Sequence, residues 1–352
     1  MADAREKKVL AELANLVSRS NYVVDNVRSL KEPLSRGDTI EVPSISNLTV
    51  TADGSSATTP QSITKSVLTL SANEHPTIFS EITALDSMQS LGDGSWERQV
   101  SEQALLMLKN DMDNTMCEYL IKDLAYDASA TYHNNVAADA LTSLDIAGTI
   151  AALKENDGVV HQNLRFFMHP FAVASMETIS GWQPNGTEAA NGDLGIRRVG
   201  TVFGVPVLES NSCLRRRTVA SENIELTSNV LTITVGAGHG IVPGQKITFD
   251  TATAAADITS ATAVTSVTAT TIVVPLTASD IASTAEGGTI TVESTESILA
   301  DVSQVFVAQQ LMPTVRIVNM ADKTSDSLQV SSIWGKVGRV GRVRVLNSPP
   351  TL

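Results

Sequence analysis

The stretch from Trp96 to Ala125, WERQVSEQALLMLKNDMDNTMCEYLIKDLA, contains no glycine and no proline. Leu105, Leu108, Met112, Met116, Tyr119, Leu120 and Leu124 recur at steps of three and four. That spacing lays them along one stripe of an α-helix, with most of the charged residues on other faces. Asp93-Gly94-Ser95 offers a turn and an N-cap just before it, and Glu97 falls in the positive first turn. Such a helix is about 45 Å long, against a usual length of roughly 11–12 residues. A rod of that length serves as a beam, as half of a coiled coil or as a core helix. A coiled coil needs several more heptads, and the pattern stops here. The flanking segments therefore decide what the rod supports.

The chain has 352 residues, 42% hydrophobic and 18% charged, which is a globular composition with room for two or three domains. Its formal charge is -13, so it is a poor general binder of nucleic acid; if it encloses DNA, it does so without holding it. Cys117 and Cys213 form no ligand spacing and no disulfide framework. Cys117, on the helix, reads as a small buried side chain. The beginning MADAREKKVLAEL lacks the apolar core of a signal peptide. No apolar run approaches the roughly 18 residues of a membrane span, and no membrane contact is expected.

In chain order, residues 1–36 read as an amphipathic arm with Val9, Leu10, Leu13, Leu16 and Val17 on one face. The arm packs either on its own domain or on a neighbouring subunit. Residues 37–76 change character: TIEVPSISNLTVTA and ITKSVLTLSA flank a small polar tip, Gly54 to Ser62. This is the pattern of a long β-hairpin. Each arm reaches roughly 40–50 Å, and a two-stranded ribbon of that kind has too little core to stand alone. Ile40 and Val42 on one arm, and Ile63 and Val67 on the other, leave apolar faces that need a partner, and Lys65 is an edge charge.

Residues 136–217 read as a mixed α/β unit. A helix from Asp145 to Asn156 is followed by the buried strand LRFFMHP, in which Pro170 opens a second helix. A Gly/Asn-rich loop, Gly181 to Gly195, leads to a strand over Arg197–Asn211 broken by Gly204 and Pro206. Near Thr218 the composition shifts sharply to Thr, Ala, Ser and Val. LTITV, QKITF, SATAVTSV, TTIVVPL and GTITVES give five short strands, the signal of a small all-β domain over 218–297. The composition of the preceding unit then returns in VFVAQQL, TVRIVNM, SLQVSSIW and VRVLN. An inserted domain between two halves of another is the simplest account.

Catalytic and metal patterns are weak throughout. GAGHG at 236–240 fails GxGxxG, since position 241 is Ile, and reads as a turn. His161 and His169 have no third ligand type nearby. There is no P-loop, GxSxG elbow or HExxH. Asp111 and Asp113 point to different helix faces and form no acid/base pair. No enzyme activity and no cofactor are expected. Two basic clusters stand out in an acidic chain: Arg215-Arg216-Arg217, and Lys336, Arg339, Arg342 and Arg344. They are either solvated faces or intersubunit ion pairs that set register.

The order of arm, hairpin, long helix, α/β unit and return strands resembles the HK97-like major capsid proteins of tailed bacteriophages. Three stretches carry the resemblance: ITALDSMQSLGDGSWERQ leading into the helix, the pair LRFFMHP and VGTVFGVPVLESN, and the C-terminal GKVGRVGRVRVLN. It covers residues 1–217 and about 298–352 and rests on architecture and residue character.

The resemblance implies an α+β HK97-like fold: an N-arm over 1–36, an E-loop over 37–76, and a P domain from 77–135 and 321–352 with its spine at 96–125. An A domain from 136–217 and 298–320 completes it, with 218–297 as an all-β insertion. It implies a virion shell assembled in the host cytoplasm from hexamers and pentamers of this chain, enclosing DNA without sequence-specific binding. Portal, scaffolding and decoration proteins are the implied partners. Arg36, Ile40, Val42, Ile63, Lys65, Val67, Arg339 and Arg342 are the candidate intersubunit contacts. Some family members join an E-loop lysine to a neighbour's asparagine, a role in which Lys65 would stand. An encapsulin shell shares the fold, and a binding module built on the β insertion is a reading from a different class.

Overall fold

The computed structural model describes residues 23–30, 39–45, 65–83, 95–136, 141–155, 159–179, 182–184, 198–213, 217–251, 256–285, 287–319 and 325–348. The N-terminal arm up to Tyr22, the hairpin tip, the turn before the long helix and most of the 181–195 loop lie outside these residues, as do Arg36, Ile63, Arg215 and Arg216. Two compact units emerge. The first comprises 1–11, 27–108 and 305–339, and the second comprises 12–26, 109–304 and 340–352.

Most of the elements follow the sequence pattern, and local chemistry sets their ends. After a short helix α1 (Val23–Asn26) and strand β1 (Arg28–Leu30), β2 (Thr39–Ile45) pairs antiparallel with β3 (Lys65–Ser71), from Thr39 opposite Ser71 to Ile45 opposite Lys65. This is the base of the expected hairpin. β4 (Thr77–Thr83) precedes the long helix α2 (Ser95–Tyr119), which continues as a π-helical turn over Leu120–Leu124. The buried stripe holds at Leu105, Leu108, Met112, Met116, Leu120 and Leu124, all at most 2% exposed, while Tyr119, expected on it, is half-buried.

In the first unit, β1, β19 (Val305–Asn319), β20 (Ser325–Gly338) and β4 form a four-stranded sheet in that order. VFVAQQL and TVRIVNM are a single strand here. Its register with β20 slips between Gln309 and Leu311 and again between Leu311 and Thr314. Pro313 lies in the second slip; it has no N–H to give the ladder, so the strand bulges and continues. The hairpin base packs by one face: Ile40, Val42, Leu68 and Leu70 meet Leu30, Phe306, Ala308 and Val337.

In the second unit a seven-stranded sheet runs β5-β21-β18-β6-β9-β8-β7. Its strands are β5 (His133–Asn135), β6 (Leu164–Met168), β7 (Trp182–Pro184), β8 (Arg198–Val202), β9 (Val205–Glu209), β18 (Thr295–Asp301) and β21 (Val343–Ser348). Helices α3 (Ser143–Lys154) and α4 (Pro170–Met176) cover one face through Ile146, Ile150, Leu153, Val173 and Met176. α3 starts in a capping box, with Thr142 and Asp145 satisfying each other's backbone N–H. α4 starts at Pro170, as expected, with the His169 ring accepting from Phe171 N–H. The strand expected over Arg197–Asn211 is instead a tight hairpin: Phe203 and Gly204 both have positive φ, at 48° and 78°, the geometry of a two-residue turn that matches strand twist.

The Thr-rich region forms an eight-stranded sheet from Arg217 to Val292, where five strands were expected. β10 (Arg217–Thr227) is its longest strand and joins both halves, pairing with β17 (Gly288–Val292) by its first residues and with β11 (Val230–Val235) by its last. β12 (Lys246–Thr251), β13 (Ile258–Ala263), β14 (Ser266–Val267), β15 (Thr271–Pro275) and β16 (Ile281–Thr284) complete it. Ile233, Ile247, Phe249, Ile272, Ile290 and their neighbours fill its core.

Three stretches pair differently from the expected division. Ser297 does not end the β region: it pairs with Leu346 inside β18, in the seven-stranded sheet. The C-terminal strand, expected in the P domain with the long helix, is β21, between β5 and β18 of the same sheet, and it touches the last turn of that helix, Leu120–Leu124. Residues 305–319, expected with the α/β unit, belong to the four-stranded sheet. Sequence spacing identifies a strand, but pairing partners are chosen by side-chain fit across the ladder.

Candidate functional site

Among the described residues, the functional candidates are the base of the ribbon and the junctions that hold each unit in shape. The ribbon base lies in the first unit. Side chains alternate along a strand, so Ile40 and Val42, opposite Leu70 and Leu68, share the inward face. That face packs on the chain's own sheet, so Ile40 and Val42 are half-buried and already have partners within the subunit. Val67 stands opposite Pro43 on the other face and is 46% exposed. Lys65 stands opposite Ile45 at the described end of the ribbon.

A clasp fixes this base to β20. Glu74 and Trp334 exchange backbone hydrogen bonds at 3.0 and 3.1 Å. Lys336 Nζ lies 2.5 Å from Glu74 Oε1 and 5.0 Å from the centre of the buried Trp334 ring. Between them, Gly335 lets the two backbones touch: a Cβ there would overlap the Ser71 carbonyl oxygen. A glycine inside a strand pattern is the signal of such an approach. Gly335→Ala is expected to cost about 1–3 kcal/mol by forcing the backbones apart. It should also speed amide exchange over Leu68–Glu74. Unchanged denaturant unfolding and exchange would show that the strands separate freely.

In the second unit, Asp113 on α2 is a buried node. Its Oδ1 accepts from Val24 N–H at 3.2 Å and its Oδ2 from the Ser210 hydroxyl at 2.9 Å. Burial raises its pKa, opposed by those hydrogen bonds. Lys109 pairs with Asp25 at 3.0 Å. One turn beyond, Cys117 meets Cys213. Both are buried free thiols, and the hydrogen bond between them, with burial, pushes the Cys117 pKa well up.

The third feature is a polar junction between the two sheets of the second unit. Arg217, at the start of β10, places Nε 3.2 Å from both Glu296 oxygens; the two side chains are 9% and 1% exposed. The Arg217 guanidinium also donates to the carbonyls of His239 and Gly240. Gln245 Nε2 donates to Glu296 at 2.9 Å, while its Oε1 accepts from Val242 N–H at 3.1 Å. Asn135 donates to Pro243 O at 2.8 Å and accepts from Asn347 at 2.6 Å, and Asn347 faces His133 Nδ1 at 3.2 Å. The loop 236–245 is thereby tied to the seven-stranded sheet. Gly244 is required: its φ is +85° and a Cβ would sit 2.6 Å from Asn135 Nδ2. His239, expected in a turn, is in one; its Nδ1 accepts from Ile241 N–H and its Nε2 faces Thr268 O.

The described members of the basic clusters have partners within the chain. Arg217 is in the junction and Lys336 in the clasp. Arg344 is 9% exposed, donates to Thr131 O and to Ala152 O near the end of α3, and lies 4.7 Å from the Tyr132 ring centre. Arg342 is 7% exposed, so it is not a solvated charge. Arg339 is partly exposed in the turn after β20. Burial follows from strands β20 and β21 being interior, which spacing alone did not reveal. Among the described residues no three His, Cys, Asp or Glu side chains are grouped to hold a metal ion, and no helix is long and apolar enough to cross a membrane.

No protein-family model matches the chain, and no curated protein matches its sequence. Solved structures do match. The mature capsid of bacteriophage PhiM1 aligns over 94% of this chain and 87% of that one, with a TM-score of 0.53 and 11% identity. The capsid of Ralstonia phage GP4 aligns over 95% and 90%, at 0.52 and 9%. The capsid of cyanophage P-SCSP1u aligns over 94% and 89%, at 0.51 and 11%. With a ribbon rooted beside a four-stranded sheet, a long helix, and a seven-stranded sheet carrying two helices, this chain has the HK97-like fold of phage capsid subunits.

Proposed function

We propose that this chain is the major capsid protein of a tailed bacteriophage, a structural subunit with no catalytic step. The observation that carries the reading is the match over at least 94% of the chain to subunits of three phage capsids. The ribbon supports it physically: the base is covered by its own unit, while Val67 and the outward face are left to a neighbour. Copies associate into hexamers and pentamers of an icosahedral shell, with the acidic chain enclosing DNA without gripping it. Portal, scaffolding and decoration proteins are its partners in the virion, which is assembled in the host cytoplasm. Purified protein is expected to form shells or capsomers by negative-stain electron microscopy and light scattering. A monodisperse monomer under every condition tried would refute this reading.

A further inference from the structure

The chain has two cysteines, 96 residues apart, and the fold brings them together. Two neighbouring contacts fix how. The Ser210 hydroxyl donates to Asp113 Oδ2 on the long helix at 2.9 Å. Cys213 N–H donates to Ser210 O at 3.3 Å in the turn that follows β9. Cys117 comes one helical turn after Asp113. The helix face and the turn therefore lie side by side, and the thiols of Cys117 and Cys213 are hydrogen-bonded to each other. They are 0% and 1% exposed. A buried residue touches roughly 6–12 others, so two cysteines in a chain of 352 residues would meet by chance about once in 30–60 such chains. The meeting is a feature of the pair, which neither the junction nor the ribbon base uses.

We propose that Cys117 and Cys213 are a latent cross-link: a dithiol that hydrogen peroxide closes to a disulfide, stapling the end of the long helix to the turn after β9. The first sulfur attacks peroxide, whose O–O bond breaks; a sulfenic acid forms and one water leaves. The second sulfur then attacks the first, the S–O bond breaks and a second water leaves with the remaining thiol proton. Both sulfurs are oxidised and both peroxide oxygens reduced. The hydrogen bond with Cys213, then burial, push the Cys117 thiol pKa well up, so little thiolate is present and closure waits on local opening of the turn. Once one sulfur is oxidised, the other is already in contact with it, and proximity drives the second step. In a reducing cytoplasm the pair stays open, and on a released virion it closes. That timing rests on the shell reading; the bond itself does not. The loop it closes is long, which makes its constraint on the unfolded chain large.

Purified, unassembled subunit treated with hydrogen peroxide tests the pair, once in buffer and once in urea just below the unfolding midpoint, where opening is frequent. Both free thiols are expected to disappear when titrated under denaturing conditions. A non-reducing digest should join the peptides that hold Cys117 and Cys213. After return to buffer, the urea midpoint should rise by about 1 M. Dithiothreitol, which does not restore oxidised methionine, should bring the midpoint back. Cys213→Ala, with one thiol left, should gain nothing from peroxide; should that variant not fold, the wild-type digest and the dithiothreitol reversal decide alone. The proposal is overturned if both thiols stay free in both conditions while glutathione in the same tube is consumed. It is overturned too if sulfinic acids or disulfide-linked dimers form in place of the internal bond, or if closing the bond lowers the midpoint. None of these readouts needs a shell, so their failure is distinct from failure to assemble.

Discussion

Glu296→Ala is expected to destabilise the second unit by about 3–5 kcal/mol. The carboxylate is fully buried and takes the Arg217 guanidinium and the Gln245 amide together. Removing it leaves a guanidinium and an amide buried without their acceptor, and an uncompensated buried charge costs more than the ion pair itself contributes. Arg217→Ala should cost a similar amount, because Glu296 would then be the buried orphan and the carbonyls of His239 and Gly240 would lose their donor. The double variant should cost clearly less than the two singles added, since each single already breaks the shared interaction. Denaturant unfolding of the unassembled subunit measures all three. Hydrogen exchange should place the loss at Ile241 and Val242, where the loop is tied down. Single-variant losses below about 1 kcal/mol would mean that water enters the junction and that the buried pair is not what ties the sheets.

The second large effect is acid sensitivity from His133. Burial, then the nearby Arg217, lowers its pKa from 6.5 to about 4, and Arg344 adds to this; Asp127 and a hydrogen bond with the Ala125 backbone oppose it. Asn347 is its side-chain neighbour, at Nδ1. A histidine held neutral in the folded state takes up its proton more readily when unfolded. Stability is therefore highest above pH 6.5 and falls as the pH drops towards about 4, by about 3 kcal/mol. Carboxylates also titrate as acid is added, and raised-pKa Asp113 acts in the opposite sense, so the clean reading is a difference. His133→Gln should remove this share of the pH dependence between pH 7 and 4 and leave the rest. If the stabilities of the two proteins run parallel across that window, His133 is not the acid-sensitive group. In a shell, the same penalty would loosen the junction in every copy at once.

Much of this architecture was legible in the residues. The long helix shows in its three-and-four spacing, α4 in Pro170, and the β region in its composition and alternation. These are local signals, set by backbone geometry and by what each side chain does to its own turn. The extra strands of the β region were less visible. β10 carries Glu222 and Asn223 near a bulge between Ser221 and Asn223, which blurs its alternation, and β16 is only four residues long.

Tertiary structure alone decided the rest. The ribbon's alternation shows that it has two faces, but only its docking on Phe306 and Ala308 shows that Ile40 and Val42 are used within the chain while Val67 is not. The basic residues looked like surface charges because Arg217, Arg342 and Arg344 carry nothing local to mark burial. Their partners, where seen, are 79 residues away at Glu296, 192 at Ala152 and 213 at Thr131. A buried charge is tolerated only where a distant acceptor meets it, and no window of sequence contains both. The same holds for β21, whose place between β5 and β18 depends on two strands far from it in the chain. By itself the sequence determined which elements form; the long-range pairing of buried polar groups and strand edges determined which surfaces remained free.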